Sequence, residues 1–189
     1  MAELLDRLIR DHKHLLRVLD LLDDLLDEFH AGDEPDYELL CEMVEYMKSY
    51  ADQVHHPNEE DIFDRLRACT NERYPVLDQL TDQHLLLSRI NKRFRRSLEG
   101  IVHEEILRRG QVELQGRELV KTLREHLDLE EHAAFPLARE KLSASDWEEL
   151  LPPASRNDDP SRNDDPLWCE AGQRRFQSLL RHLAERDRT

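Results

Sequence analysis

The chain has 189 residues, a net charge of −15, 37% charged residues and only 5 glycines. That length suits one domain with a sizeable core, and the acidic balance excludes nucleic acid as a partner, because phosphate binding needs clustered Lys and Arg. The one locally basic run, RRFQSLLRHLAERDR, is short and mixed with acids. No segment approaches ~18 consecutive apolar residues and no apolar signal core opens the chain, so no membrane partner and a cytoplasmic location are expected. Cys41, Cys69 and Cys169 are far apart, odd in number and in no CxxC motif, which predicts reduced thiols and no thiolate metal site.

Runs such as LLDRLIRDHKHLLRVLDLLDDLLDEF lack strand-like alternation, so the fold class is all-α. The first helix is predicted from about 3 to 29, with Leu5, Leu8, Leu15, Leu19, Leu22, Leu26 and Phe29 inward. HAGDEP makes a turn. The second helix is predicted as one element from about 36 to 67, with Leu40, Val44, Met47, Ala51, Ile62 and Leu66 inward. ACTNERYP is a loop whose Pro75 is suited to open the third helix. That helix turns Leu77, Leu80, Leu87, Phe94 and Leu98 inward and ends near Gly100. The fourth starts between 103 and 112, where Gly110 and Gly116 weaken the pattern, and reaches about 141 with Leu119, Leu123, Ala133 and Leu137 inward. Short loops join antiparallel neighbours, so residues 1–142 form an up-down-up-down four-helix bundle. Residues 143–168 read as a polar linker containing SRNDDP twice in tandem, at 155–160 and 161–166. A short amphipathic helix within 169–189 follows, carrying Phe176, Leu179, Leu180 and Leu183, to pack on the bundle or on a second subunit.

Six polar residues interrupt the apolar stripes. They are His12, His55, Glu59, His84, His126 and Glu130, each at a position where a core leucine belongs. A single histidine there would be a hydrogen-bonded core residue. Burying four imidazoles and two carboxylates without strong partners would cost several kcal/mol or more. At ~1.5 Å rise per residue all six fall at matching depths, so they can meet in one layer. His at i with Glu at i+4 puts both side chains on one helical face. Two such pairs, with one histidine from each remaining helix, suit a dinuclear site. Imidazole with carboxylate favours two iron ions, with manganese and zinc as competitors. If both carboxylates bridge a six-coordinate pair that also shares an oxo or hydroxo group, two positions remain open for water, dioxygen, peroxide or nitric oxide.

VHHPNEED offers two choices. The stripe through Leu40, Val44, Met47 and Ala51 leads to His55 and Glu59, while His56 and Glu60 are rotated by ~100° toward the helix flank. Pro57 removes a backbone donor, so a kink could exchange the pairs and make His56 and Glu60 the inward ones. His14 and His132 face away from the layer, His14 read as solvated. His30, His103 and His182 carry no role. Tyr46 and Tyr50 lie within two turns of His55 and read as packed side chains, a hydrogen bond from Tyr50 toward the site being the other option.

With these residues the sequence resembles the hemerythrin-like (HHE cation-binding) family, in its bacterial type, over residues 1 to about 142. RDHKHLLRVLDLL is similar to the family's first-helix segment with His12. VHHPNEEDIF and REHLDLEEHAAFPLA are similar to its two His-x-x-x-Glu motifs, and LTDQHLLL to the segment with the third helix's histidine. DDPLW with the helix after it resembles an extension in some bacterial members. The invertebrate oxygen carriers of the family place two histidines one turn apart on the third helix. Here His84 has Leu80 four before and Ser88 four after, so one more coordination position is expected to be open. The resemblance therefore implies oxygen or iron sensing, peroxide decomposition or nitrosative-stress and iron-centre repair rather than simple oxygen carriage. The reading placed first is a di-iron protein that binds a diatomic ligand or peroxide as sensor, store or carrier. An enzyme at the same site comes second and a structural interaction module third, with a dimer as one option for the assembly.

Overall fold

A computed structural model of the chain describes residues 3–51, 55–69, 72–103, 106–150 and 176–186. These residues are helical or in short connections, with no strand among them. No helix among them is long and apolar enough to cross a membrane.

The first arm, α1 (Glu3–Ala31), buries Leu5, Leu8, Leu15, Leu19, Leu22, Leu26 and Phe29, the i, i+3, i+4 spacing of an amphipathic helix. It stops at Gly32, whose φ of 108° is open to glycine at little cost. The amide of Gly32 reaches Phe29 O at 3.3 Å and that of Asp33 reaches Glu28 O at 3.1 Å, which closes the helix end in a Schellman motif. Asp36 then caps α2 (Tyr37–Tyr50), its carboxylate accepting from the Leu39 amide at 2.9 Å.

Among its described residues the second arm is not one regular α-helix. It comprises α2 and α3 (His56–Cys69), and Ala51 and His55 between them are in π-helical conformation. Pro57 has no N–H to give a preceding carbonyl, which disfavours regular α-helical bonding in the turn before it. The third arm is α4 (Pro75–Val102), opened by Pro75 in its first turn. The fourth is also interrupted. α5 (Arg109–Leu129) passes through a π-helical turn, Glu130–Ala134, into α6 (Phe135–Lys141), and the Phe135 amide bonds back to Glu130 O. Pro136 has the same effect here as Pro57 in the second arm, so each His-x-x-x-Glu arm carries π-helical residues just ahead of a proline.

The arms form a square, with α1 packed on α2 and α5, and α4 packed on α2 and α5. At Gly116 α5 comes close to its neighbours, since a Cβ there would sit 2.7 Å from a Leu26 methyl and 3.0 Å from Phe94 Cζ. Two short helices complete the described chain. α7 (Ala144–Leu150) occupies residues expected to begin the linker and packs on α3. It is started by a reciprocal cap, Asp146 N to Ser143 Oγ and Ser143 N to Asp146 Oδ2. The expected linker from 151 onward, with both SRNDDP copies, lies outside the described residues, as do Cys169 and the first residues of the expected tail helix. The described part of that helix, α8 (Gln177–Arg186), packs on α1 and α2 of its own chain through Phe176, Leu179 and Leu183, and Glu42 Oε2 accepts from the Leu179 amide at 3.0 Å.

The apolar interior is in two parts. A larger one runs through Leu15–Phe29, Tyr46, Tyr50, Leu87, Phe94, Leu119–Leu127 and the face of α8. A smaller one gathers Leu4, Leu5, Leu8, Ile62, Phe63, Leu77, Leu80, Phe135, Ala138 and Trp147. Along each arm the break falls at the polar residues, after Leu8 in α1, after Tyr50 in the second arm, and between Leu80 and Leu87 in α4.

Candidate metal centre

The layer between the two cores holds His12 from α1, His55, His56 and Glu59 from the second arm, His84 from α4, and His126 and Glu130 from the fourth. His12, His55, Glu59, His126 and Glu130 are fully buried, and His84 is 10% exposed. The structure thus brings together all six residues singled out in the sequence, and adds His56.

Their donor atoms form two groups, each with all four atoms within 4.8 Å of one another. One is His12, His55, Glu59 and Glu130. The other is His56, Glu59, His84 and His126. The two carboxylates join the groups. Glu59 turns Oε1 to His12 Nε2 at 3.6 Å and His55 Nε2 at 2.9 Å, and Oε2 to His84 Nε2 at 3.4 Å. Glu130 turns Oε2 to His12 Nε2 at 3.4 Å, and Oε1 to His126 Nε2 at 3.2 Å and His84 Nε2 at 3.7 Å. Each carboxylate therefore offers one oxygen to either group. Both oxygens of both carboxylates, with His84 Nε2 and His126 Nε2, are buried without a hydrogen-bond partner. Protein interiors rarely leave such atoms orphaned. Convergent imidazole nitrogens around shared carboxylates are a donor set able to hold a metal cation.

Four histidines have their Nδ1 atoms turned outward, each toward an acceptor. Glu131 Oε1 lies 2.9 Å from His12 Nδ1, Gln83 Oε1 lies 3.0 Å from His126 Nδ1, Glu60 Oε1 lies 3.3 Å from His84 Nδ1, and Asp11 Oδ2 lies 3.9 Å from His55 Nδ1. Every one of these acceptors is the chain neighbour of an inner residue on a different arm. Asp11 follows from α1 to the second arm, Glu60 from there to α4, Gln83 from α4 to α5, and Glu131 from the π-helical turn back to α1. The four contacts close a ring around the layer. At His12 and His126 the contact is a hydrogen bond, and holding Nδ1–H in this way fixes the tautomer and leaves Nε2 free to face inward, whereas Glu60 and Asp11 face His84 and His55 as ion-pair partners. Glu60 is 34% exposed and also accepts from Thr81 Oγ1 at 3.2 Å.

The histidines and carboxylates of the layer shift one another's pKa values. Burial works against charge on His55, but Glu59 and Asp11 overcome it and push its pKa up to about 10. Burial likewise opposes charge on His84, and the Glu130 and Glu59 carboxylates facing it raise it to about 9. Burial opposes charge on Glu59 too, yet His55, His12 and His84 hold its carboxyl well below the usual range. His56 is the exception. Burial and the neighbouring His84 push it down to about 3, so it is a neutral imidazole.

Two sequence expectations change. His56 and Glu60 are not a fallback pair for His55 and Glu59. His56 enters the layer alongside His55, because a helix face that looks inward is over ~100° wide and two adjacent residues can straddle it. His55 faces α1, while His56 stacks on His84 of α4 with ring centroids 3.9 Å apart. Glu60 stands outside as the partner of His84. His14 is not solvated but half-buried, edge-on to Tyr46 at 6.0 Å. Tyr50 stacks on His55 at 5.7 Å, and Phe135 on His12 at 5.3 Å. The outer ring was missed, although the sequence carried a signal for it, an Asp, Glu or Gln beside an inner ligand in each of DH, EE, QH and EE.

The hemerythrin HHE cation binding domain family matches residues 3–138, which contain every residue of the layer and of the ring. No curated protein and no solved structure matches the chain.

Proposed function

Because the chain belongs to the hemerythrin HHE cation-binding domain family, we propose that it is a non-haem di-iron protein that binds a small ligand, namely dioxygen, nitric oxide or peroxide, as a sensor, store or carrier. The observation that carries this reading is the sharing of Glu59 and Glu130 between two histidine groups, with all four oxygens otherwise orphaned. His12, His55, Glu59, His84, His126 and Glu130 would hold the pair. The donors are nitrogen and oxygen only, which suits iron, and manganese and zinc as its competitors. Bound there, iron supplies open coordination and one-electron chemistry for a small ligand.

The chain's own residues set the conditions. Glu131, Gln83, Glu60 and Asp11 orient the four rings so that little rearrangement accompanies loading. Tyr50 and Phe135 cover two of the histidines with aromatic rings and exclude water from that side. The protons on His55 and His84 must leave for their nitrogens to become donors, and Glu60, beside His84 and open to solvent, is placed to pass one outward.

Metal content of the protein purified under iron-replete conditions tests the reading. Two irons per chain and a visible absorption band altered by dioxygen or nitric oxide are expected. Rapid turnover of peroxide would move the assignment to an enzyme at the same centre. A metal-free protein that melts at the same temperature with and without added iron would sink both.

A further inference from the structure

The α4 helix contributes one histidine to the layer, with Leu80 and Ser88 a turn to either side of His84. The structure nevertheless gathers five histidines. The fifth, His56, has a donor atom within 4.8 Å of those of Glu59, His84 and His126. Its ring stacks on His84 at 3.9 Å with 22° between planes, and stands edge-on to His126 at 6.1 Å. It also lies 6.2 Å from His55. The rings around His56 are thus three other imidazoles. Apolar packing gives no reason for that company, whereas donors converging on one cation do.

We propose that His56 is the third histidine of the second metal position, supplied by α3 in place of a second histidine on α4. The inference rests on the reading of the centre as a metal pair. Five histidines then divide three and two: His56, His84 and His126 on one side, His12 and His55 on the other. Glu59 and Glu130 each turn one oxygen toward either side, so by histidine count the His12–His55 position has one nitrogen donor fewer. That position takes the exogenous ligand. It is the enclosed one, with His12 and His55 buried and with Phe135 and Tyr50 stacked on their rings, so it admits a diatomic or a small linear anion and excludes anything larger. The expected second vacancy, inferred from the missing α4 histidine, is filled from the neighbouring arm.

The test uses the full chain, stripped of metal and titrated anaerobically with iron(II), followed by azide as the small-anion probe after oxidation. The wild type should bind two irons and one azide per chain. His56→Ala should keep the first iron at parental affinity and hold the second at least about ten-fold more weakly, with added imidazole restoring it. His56→Gln, which preserves the volume at that position, should show the same weakening without a change in the metal-free helical signal. Parental affinity for both irons in both variants overturns the proposal, and so does loss of both irons together or uptake of two azides by the wild type. A wild-type chain that binds no iron overturns the reading of the centre itself, before any variant is compared.

Discussion

Glu131 Oε1 stands 2.9 Å from His12 Nδ1, and Glu131 is the residue that follows Glu130, whose own Oε2 stands 3.4 Å from the other nitrogen of the same ring. One dipeptide of the π-helical turn thus grips both edges of an imidazole on α1. Removing the outer half should loosen the ring without opening the core, because Glu131 is a third exposed. Glu131→Leu is expected to weaken metal binding about 10–100-fold, and Glu131→Gln, which keeps an acceptor, to weaken it less. Competition with a coloured chelator measures this. Parental affinity in Glu131→Leu would show that the outer contact orients nothing.

Loss of an inner ligand should be harsher. His126 is fully buried with Nε2 3.2 Å from Glu130 Oε1, whereas His132, six residues on, is 75% exposed and faces Asp128. His126→Ala should lose metal and, with it, the ligand-linked stabilisation of about 2.7 kcal/mol per ion at a hundredfold excess over Kd. His132→Ala should change neither metal content nor Tm. Scanning calorimetry with parallel metal analysis distinguishes the two, and equal behaviour would refute the centre.

The metal-free chain should have an unusual alkaline limit. His84 and His55 have pKa values raised to about 9 and about 10 from an ordinary 6.5. Groups raised on folding stabilise the fold fully below their unfolded value, and that contribution is lost as pH rises through the folded value. Glu59 is depressed, so its contribution is present above about pH 4.5 and lost on acidification. His56, depressed to about 3, takes up a proton more readily when unfolded, so it too costs stability as pH falls below 6.5. Denaturant melts of the metal-free chain should therefore weaken on both sides of neutrality. His84→Gln should flatten the loss between about pH 6.5 and 9. An unchanged alkaline limb in that variant would remove His84 from the account.

Two glycines of α5 should respond in opposite directions to alanine. At Gly116 an added Cβ meets two Leu26 methyls at 2.7 and 2.9 Å and Phe94 Cζ at 3.0 Å, all in packed core. Overpacking of that kind costs about 1–3 kcal/mol, against a helix-propensity gain of about 1 kcal/mol, so Gly116→Ala should be neutral to destabilising by up to about 2 kcal/mol. Gly110 has open space around its Cβ position, and Gly110→Ala should gain up to about 1 kcal/mol. Urea midpoints of the two variants on the same day decide it. A stabilised Gly116→Ala would mean that α1 and α4 yield more easily than their packing suggests.

The four arms and the gathering of His12, His55, Glu59, His84, His126 and Glu130 were legible in the sequence because a polar residue on an apolar stripe stands out against a helical period. The joints were not. Periodicity treats a helix as an unbroken rod, so Pro57 and Pro136 could be suspected, but the π-helical residues ahead of them could not be placed. His56 was assigned to a flank because a stripe was treated as a line, whereas the inward arc is wide enough for His55 and His56 to address different neighbours. Asp11, Glu60, Gln83 and Glu131 depend on which arm lies beside which. That is a property of the square packing of α1, α2, α4 and α5, and no single helix encodes it.

The polar layer has a consequence for how the bundle comes apart. Continuous dry packing makes a domain unfold as one cooperative unit, and here it is broken in the middle. Leu4, Leu5 and Leu8 at the start of α1, with Phe63, Phe135 and Trp147, form a block distinct from the larger core, with the histidines and carboxylates lying between the two. Without metal that block is expected to open on its own below the free energy of global unfolding, so its amides should exchange with deuterium while those around Leu22, Phe94 and Leu119 remain protected. Loading the layer would fuse the two blocks into one, making occupancy of the centre readable as a change in the number of folding units.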